Sequence, residues 1–233
     1  MAKIRDTSLF ASANLIAYYE LDTGALTTDS KGSNTLTNNN TVGEGTALFG
    51  TACADLSATN TNKSLSIATG LGVDMSGAFS VSGWWNIQTA PTNGQLRSLV
   101  DWRSTTGTSR YAFLYYDNSG GTIRLLCDVS GNFAIENVDL GTTDWHHIVE
   151  TCSAAGAYKL YIDNVEVATA TRGTGTSTNE MYMGISSDAS SHPLSAFFDD
   201  VGFLDIELST AQISEIFNPV APSGTTSHHS FFM

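Results

Sequence analysis

Nine consecutive residues, Asp144-Trp145-His146-His147-Ile148-Val149-Glu150-Thr151-Cys152, gather two carboxylates, two imidazoles and a thiol. These are ligands for a transition metal, or a cysteine nucleophile with its base. Either chemistry needs side chains that converge. In an extended strand successive side chains leave opposite faces, so Trp145, His147, Val149 and Thr151 share one side and His146, Ile148, Glu150 and Cys152 the other. The imidazoles then diverge and cannot grip one ion, and Cys152 lies roughly 20 Å from His146 at the rise of an extended chain. The stretch reads as a strand whose histidines are held by ordinary hydrogen bonds.

The surrounding elements obey the same alternation. Phe79, Val81, Gly83, Trp85 and Ile87 share one face, and Ser80, Ser82, Trp84, Asn86 and Gln88 the other, which predicts a strand with one dry side. Further strands are expected at 96–102, 111–116, 122–129, 145–152, 157–163, 165–171, 180–185 and 196–204, between turn-rich clusters such as DNSGG and SGN. Asp163-Asn164, between YKLYI and VEVATA, supplies two residues that tolerate positive φ, as a two-residue hairpin requires. Ser209 with Gln212 three positions on forms a capping box, and Leu208 with Ile213 a hydrophobic staple, which together predict one short helix at about 210–217, ended by Pro219. These elements predict a many-stranded antiparallel all-β protein with one short C-terminal helix.

No composition break or repeat marks a second domain in the 233 residues. The division is an N-terminal arm over 1–13, one domain over 14–217 and a tail over 218–233. The tail ends in Phe231-Phe232-Met233, apolar residues expected to dock on neighbouring subunits of an oligomer or lattice. Ten basic residues against 23 acidic ones give a net charge of −13, which disfavours nucleic acid as a partner. Either the acidity serves solubility or some carboxylates hold a hard cation. The start, MAKIRDTSLFASANLIAYY, lacks the apolar core and cleavage pattern of a standard signal peptide, and no window is apolar enough to predict membrane insertion. Three cysteines without close spacing are expected to be free buried thiols.

WHHIVETCSAAGAYKLYIDNVEVATA resembles the laminin G-like, concanavalin A-like lectin and glucanase superfamily, whose members carry a Trp-His-His strand followed by a Leu-Tyr-Ile-Asp-Gly hairpin; here Asn164 replaces the glycine. LIAYYELDTGALTTDSKGSNTLTNNN is similar to the family's opening strand and Asp-Ser-x-Gly-x-Asn loop, FSVSGWWNIQ to a central strand, and FFDDVGFLDIELSTAQISEIF to the closing strand and helix. The resemblance implies an all-β, two-sheet antiparallel jelly-roll sandwich with one short C-terminal helix, the sheets packed face to face over roughly residues 14–217. The glucanases of this fold carry Glu-x-Asp-x-x-Glu on one strand, both acids facing a cleft. The nearest run here, Glu136-Asn137-Val138-Asp139, puts its acids on opposite faces, so no catalytic residues are expected.

The resemblance also implies a structural Ca²⁺ shared between the closing acidic pair and the early loop, which maps onto Asp199 or Asp200 with Asp29 and Asn34. Alternation sets Asp199 in register with Phe197, Val201 and Phe203, toward the dry face, where a charge needs a partner. The other reading has Asp199 capping turn amides or meeting an arginine, and Asp29 to Asn34 as a turn. Trp84 breaks the polar pattern of its face and either stacks a sugar ring or packs; Trp102, Tyr111 and Tyr115 are candidates to extend such a platform. Two functions follow as expectations. One is a non-enzymatic structural protein on a virion surface, a phage decoration or tail component with possible glycan adhesion. The other is a calcium-dependent carbohydrate-binding or adhesion module on an extracellular surface.

Overall fold

The computed structural model describes residues 3–57, 62–73, 76–92, 94–103, 110–117, 123–129, 132–136, 140–171, 180–186 and 192–218; within 103–124 and 126–139 it describes the backbone alone. The expected tail beyond 218, with Phe231, Phe232 and Met233, lies outside the described residues. Five short strands come first: β1 (Leu15–Tyr19), β2 (Thr37–Asn39), β3 (Gly43–Gly45), β4 (Cys53–Asp55) and β5 (Ser64–Ile67). Longer ones follow: β6 (Phe79–Ile87), β7 (Leu96–Arg103), β8 (Arg110–Asp117), β9 (Ile123–Val129), β10 (Asn132–Glu136) and β11 (Trp145–Cys152). The order closes with β12 (Ala157–Ile162), β13 (Val165–Thr171), β14 (Met181–Met183), β15 (Ala196–Leu204) and the helix α1 (Thr210–Phe217).

The strands form two antiparallel sheets. One has eight strands, ordered β13-β12-β11-β6-β15-β4-β3 with β1 also on β15; the other has seven, ordered β10-β9-β8-β7-β14-β5-β2. Their facing sides interdigitate. Phe79, Val81, Trp85, Ile148, Phe198, Val201 and Phe203 of the first meet Leu65, Val100, Trp102, Leu125, Met181 and Met183 of the second in one core. Gly83 leaves room for the Trp85 ring, since a Cβ there would stand 2.7 Å from its Cη2. The hairpin between β12 and β13 turns on Asp163 and Asn164, both at positive φ as expected, 49° and 68°. The helix begins on Ser209 with both halves of its capping box present.

The expected wet side of β6 is corrected. The β6 strand has no wet side, because all nine of its residues are buried. A second apolar cluster covers the outer face of the eight-stranded sheet, where Leu15, Tyr18, Val149, Tyr161 and Leu204 meet Ile213 and Ile216 of α1 and Ile4 and Leu9 from the chain start. The segment expected as an arm thus packs on this sheet. Its residues form two 3₁₀ turns, Ile4–Asp6 and Ser8–Ala11. Lys3 pairs with Asp22 at 2.9 Å and Glu20 at 3.3 Å, and Arg5 also pairs with Glu20. Polar groups caught under this cover are paired inside it: Ser80 bonds Thr151 at 2.8 Å and the Ile206 carbonyl at 2.7 Å, and the Leu208 amide donates to both hydroxyls.

Removing the Ile4 side chain tests this docking. Ile4→Ala leaves a cavity over the sheet and is expected to cost about 2–5 kcal/mol, read as a shift of the urea midpoint at constant slope. A loose arm predicts no change.

Candidate functional site

The strand β11 keeps its histidines apart, as its alternation requires. His146 Nδ1 lies 2.7 Å from Asp163 Oδ2 and its Nε2 2.9 Å from the Leu140 carbonyl. Two acceptors favour the imidazolium, and the bond to Asp163 leads in raising the His146 pKa. His147 is buried on the other face with its ring 4.9 Å from that of Trp84, and burial pushes its pKa down to about 3. It is neutral. Its Nε2 meets Ser82 Oγ at 2.9 Å, which resembles half of a hydrolytic triad. Both residues are sealed from solvent and no acid bonds His147 Nδ1 among the described residues, so the pair lacks the third member of a triad. Glu150 turns into the core between Val81 and Leu160, where burial raises its pKa well above the usual range despite Tyr158 nearby. Cys152 and Cys53 are buried thiols that donate to the carbonyls of Ser153 at 3.5 Å and Thr46 at 3.3 Å.

The four residues expected to share Ca²⁺ are each engaged elsewhere. Asp29 Oδ1 accepts from the amides of Tyr18 at 3.0 Å and Lys31 at 2.9 Å, and Oδ2 from the Asn34 amide at 3.0 Å and its side chain at 3.1 Å. Burial opposes ionisation, but these amides and that of Gly32 hold Asp29 below the usual carboxylate range. It organises a turn. Asp199 Oδ2 accepts from the amides of Leu48 and Phe49, both at 2.9 Å. Asp200 accepts from the Ile4 amide at 3.0 Å and from the Tyr18 hydroxyl. Among the described residues no three His, Cys, Asp or Glu side chains are placed together to hold an ion, and Asp29, Asp199 and Asp200 each accept from the amides of a different segment.

The expected register of Asp199 fails for a visible reason. Pairing of β15 with β6 slips between Asp199 and Gly202, where Asp200 takes a φ of 54°. This bulge turns Phe198, Val201 and Phe203 inward and leaves Asp199 beside Trp84 on the outer face. Burial drives both carboxyls up, Asp199 to about 7 and Asp200 to about 8.

The aromatic platform does not form on β6. Trp84 is 1% exposed, with Phe217 stacked over it at 5.9 Å and Phe49 edge-on at 5.6 Å. Its pattern-breaking position reports the cover of that face. Trp102 is 3% exposed and lies in the core against Phe203. Tyr111 and Tyr115 belong to β8, and their side chains lie outside the described residues.

A different surface carries accessible polar groups. On the outer face of the seven-stranded sheet, register aligns Thr37, Ser66, Tyr182 and Asp101 across β2, β5, β14 and β7. Asp101 forms the buried floor of this row. Tyr182 is partly exposed, with its hydroxyl 3.4 Å from Glu180, and Asn39 donates to Ser64 at 3.2 Å and Ser66 at 2.9 Å. The N-terminal turns and α1 both pack on the other sheet. The signal for this face was the alternation Met181-Tyr182-Met183, a tyrosine between two core methionines.

The sequence pattern of the concanavalin A-like lectin/glucanases superfamily matches residues 59–214. The chain belongs to this superfamily. Its structure is similar to domain 4 of AbnA, an extracellular arabinanase of Geobacillus stearothermophilus solved with arabinotriose, at TM-score 0.68 and 18% identity over 87% of this chain and 98% of that one. It is also similar to the binding domain of Paraclostridial Mosquitocidal Protein 1, at TM-score 0.68 and 15% identity over 88% and 52% of the two chains. A botulinum neurotoxin type C structure, described as entering cells through two ganglioside molecules, matches at TM-score 0.66 and 14% identity over 88% and 51%. The chain thus spans about half the length of these two toxin chains. No curated protein matches the sequence. At such identities the likeness establishes the shared jelly-roll sandwich.

The buried acids give this superfamily member a defined pH response. A carboxyl raised in the folded state contributes stability that is complete below its unfolded pKa, about 4, and is lost as pH rises through the folded value. For Asp199 and Asp200 the loss passes through about 7 and about 8, and His146 has the same sign. Melting curves are expected to fall by about 4 °C from pH 6.5 to 8.5, with a smaller fall in Asp200→Asn, and to coincide with and without a calcium chelator.

Proposed function

We propose that the domain is a non-enzymatic carbohydrate-binding or adhesion module that meets glycans with the outer face of its seven-stranded sheet. The observation that carries this reading is the contrast between the two outer faces. One is sealed by the chain start and α1, and the other aligns Thr37, Ser66, Tyr182 and Asp101 with no described helix across it. Tyr182 offers an aromatic ring for the apolar face of a sugar, and Asn39 and Glu180 offer hydrogen bonds at its rim. Two relatives described with arabinotriose and with gangliosides support the substrate class. The net charge of −13 argues against polyanionic ligands and favours neutral or weakly acidic glycans. Such a module belongs on an extracellular or virion surface. An array of arabinan oligosaccharides and sialylated glycans should give saturable binding that Tyr182→Ala weakens at least about tenfold, the equivalent of about 1.4 kcal/mol, without lowering the melting temperature. Equal binding by the variant, or none by the parent, defeats the reading.

Assembly of the domain into a larger particle, such as a phage decoration or tail component, is the second reading. It is favoured by the apolar run Phe231-Phe232-Met233. Light scattering should then show oligomers that disappear when residues 219–233 are removed. A monomer before and after removal leaves the glycan reading alone.

A further inference from the structure

The sealed face of the eight-stranded sheet holds an unusual row. Asp199, Trp84 and His147 are direct cross-strand partners on β15, β6 and β11, all on the outer side and all buried. Adjacent strands lie about 4.8 Å apart, so the row spans about 10 Å. Each member has a buried polar atom with no hydrogen-bond partner among the described residues: Asp199 Oδ1, Trp84 Nε1 and His147 Nδ1. An unmet buried polar atom is costly, and three side by side on one row are not a random defect. The rest of each group is well held, Asp199 by the amides of Leu48 and Phe49 and His147 by Ser82, so the open atoms are fixed in place.

What lies above the row is aromatic. Phe217 stacks within 10° of the Trp84 plane and within 27° of His147, and Phe49 stands edge-on to Trp84. Phe217 is the last residue of α1 and is only partly buried, followed by the exposed Asn218. The helix is anchored further back, by Ile213 and Ile216. Final turns of helices fray, so this ring can lift while the helix stays docked.

We infer that Asp199, Trp84 and His147 form a second, closed binding site for a small neutral polyhydroxylated molecule of monosaccharide size, with Phe217 as its lid. A flat aromatic floor beside an indole donor, a carboxyl and an imidazole nitrogen suits hydroxyls, which both donate and accept, on a ring with an apolar face. An apolar guest leaves all three polar atoms unmet. An anion faces Asp199, and a metal ion lacks a third ligand. The site lies on the opposite sheet from Tyr182 and stands whether or not that face binds glycans.

The test uses the full chain and two probes, D-glucose and L-arabinose, followed through the indole N–H resonances, with that of Trp84 assigned by Trp84→Phe. Phe217→Ala is expected to bind a probe at least tenfold more tightly than the parent, with saturable movement of the Trp84 signal. Phe217→Leu, which retains a cover, should behave like the parent. Adding Asp199→Asn to Phe217→Ala should weaken binding at least tenfold, read from the Trp84 signal. If Phe217→Ala does not fold, Phe49→Ala opens the other side of the roof and faces the same two outcomes. A Trp84 resonance that stays still at saturating probe, or a crystal structure of the opened variant soaked in sugar with water alone bridging the three atoms, overturns the inference.

Discussion

A β-sheet covered on both faces must satisfy its polar groups inside the protein, and that constraint governs the eight-stranded sheet. Its inner face belongs to the sandwich core. Its outer face lies beneath two 3₁₀ turns and a helix. Water is excluded from both, so Ser80, Ser82, Thr151 and Asn86 bond to one another's strands and to the segments above them. The cover and the polar pairs are mutually dependent. The Leu208 amide, two residues ahead of the helix, is held by two hydroxyls of the sheet on which that helix packs.

The same constraint explains the buried acids. Asp199 and Asp200 occupy a bulge on the central strand β15, and each finds backbone amides from a segment remote in sequence, Leu48 with Phe49 and Ile4. Their carboxyls locate loops; they are anchors for chain segments that have few backbone bonds of their own. Asp29 does the same for the turn before Asn34. The acids that the resemblance grouped around one ion each accept amides from a different segment, and such amides favour the ionised form of a carboxylate.

Much of the sandwich was legible in the residues. Strands of seven to nine residues such as β6, β11 and β15 alternate long enough to read, and the helix boundaries follow from Ser209 and Gln212. The short strands β2 to β5 were not legible, since three or four residues carry too little periodicity. The face assignments failed at two places for different causes. At Asp199 a bulge inserts a residue that strict alternation does not anticipate. At Trp84 the pattern was read correctly, but a half-polar strand looks the same whether water or another segment covers it, and the cover came from residues over a hundred positions away. The candidate surface around Tyr182 was missed because its members are scattered over four strands and meet only through register.

The contact between Ser8 and Glu215, an amide to carboxylate bond of 2.7 Å with a hydroxyl bond at 3.0 Å, sets the second 3₁₀ turn beside α1. The N-terminal turns and α1 thus lie together over the outer face of the eight-stranded sheet. A linker joined to either would reach the domain from that side, and the seven-stranded sheet would look the other way.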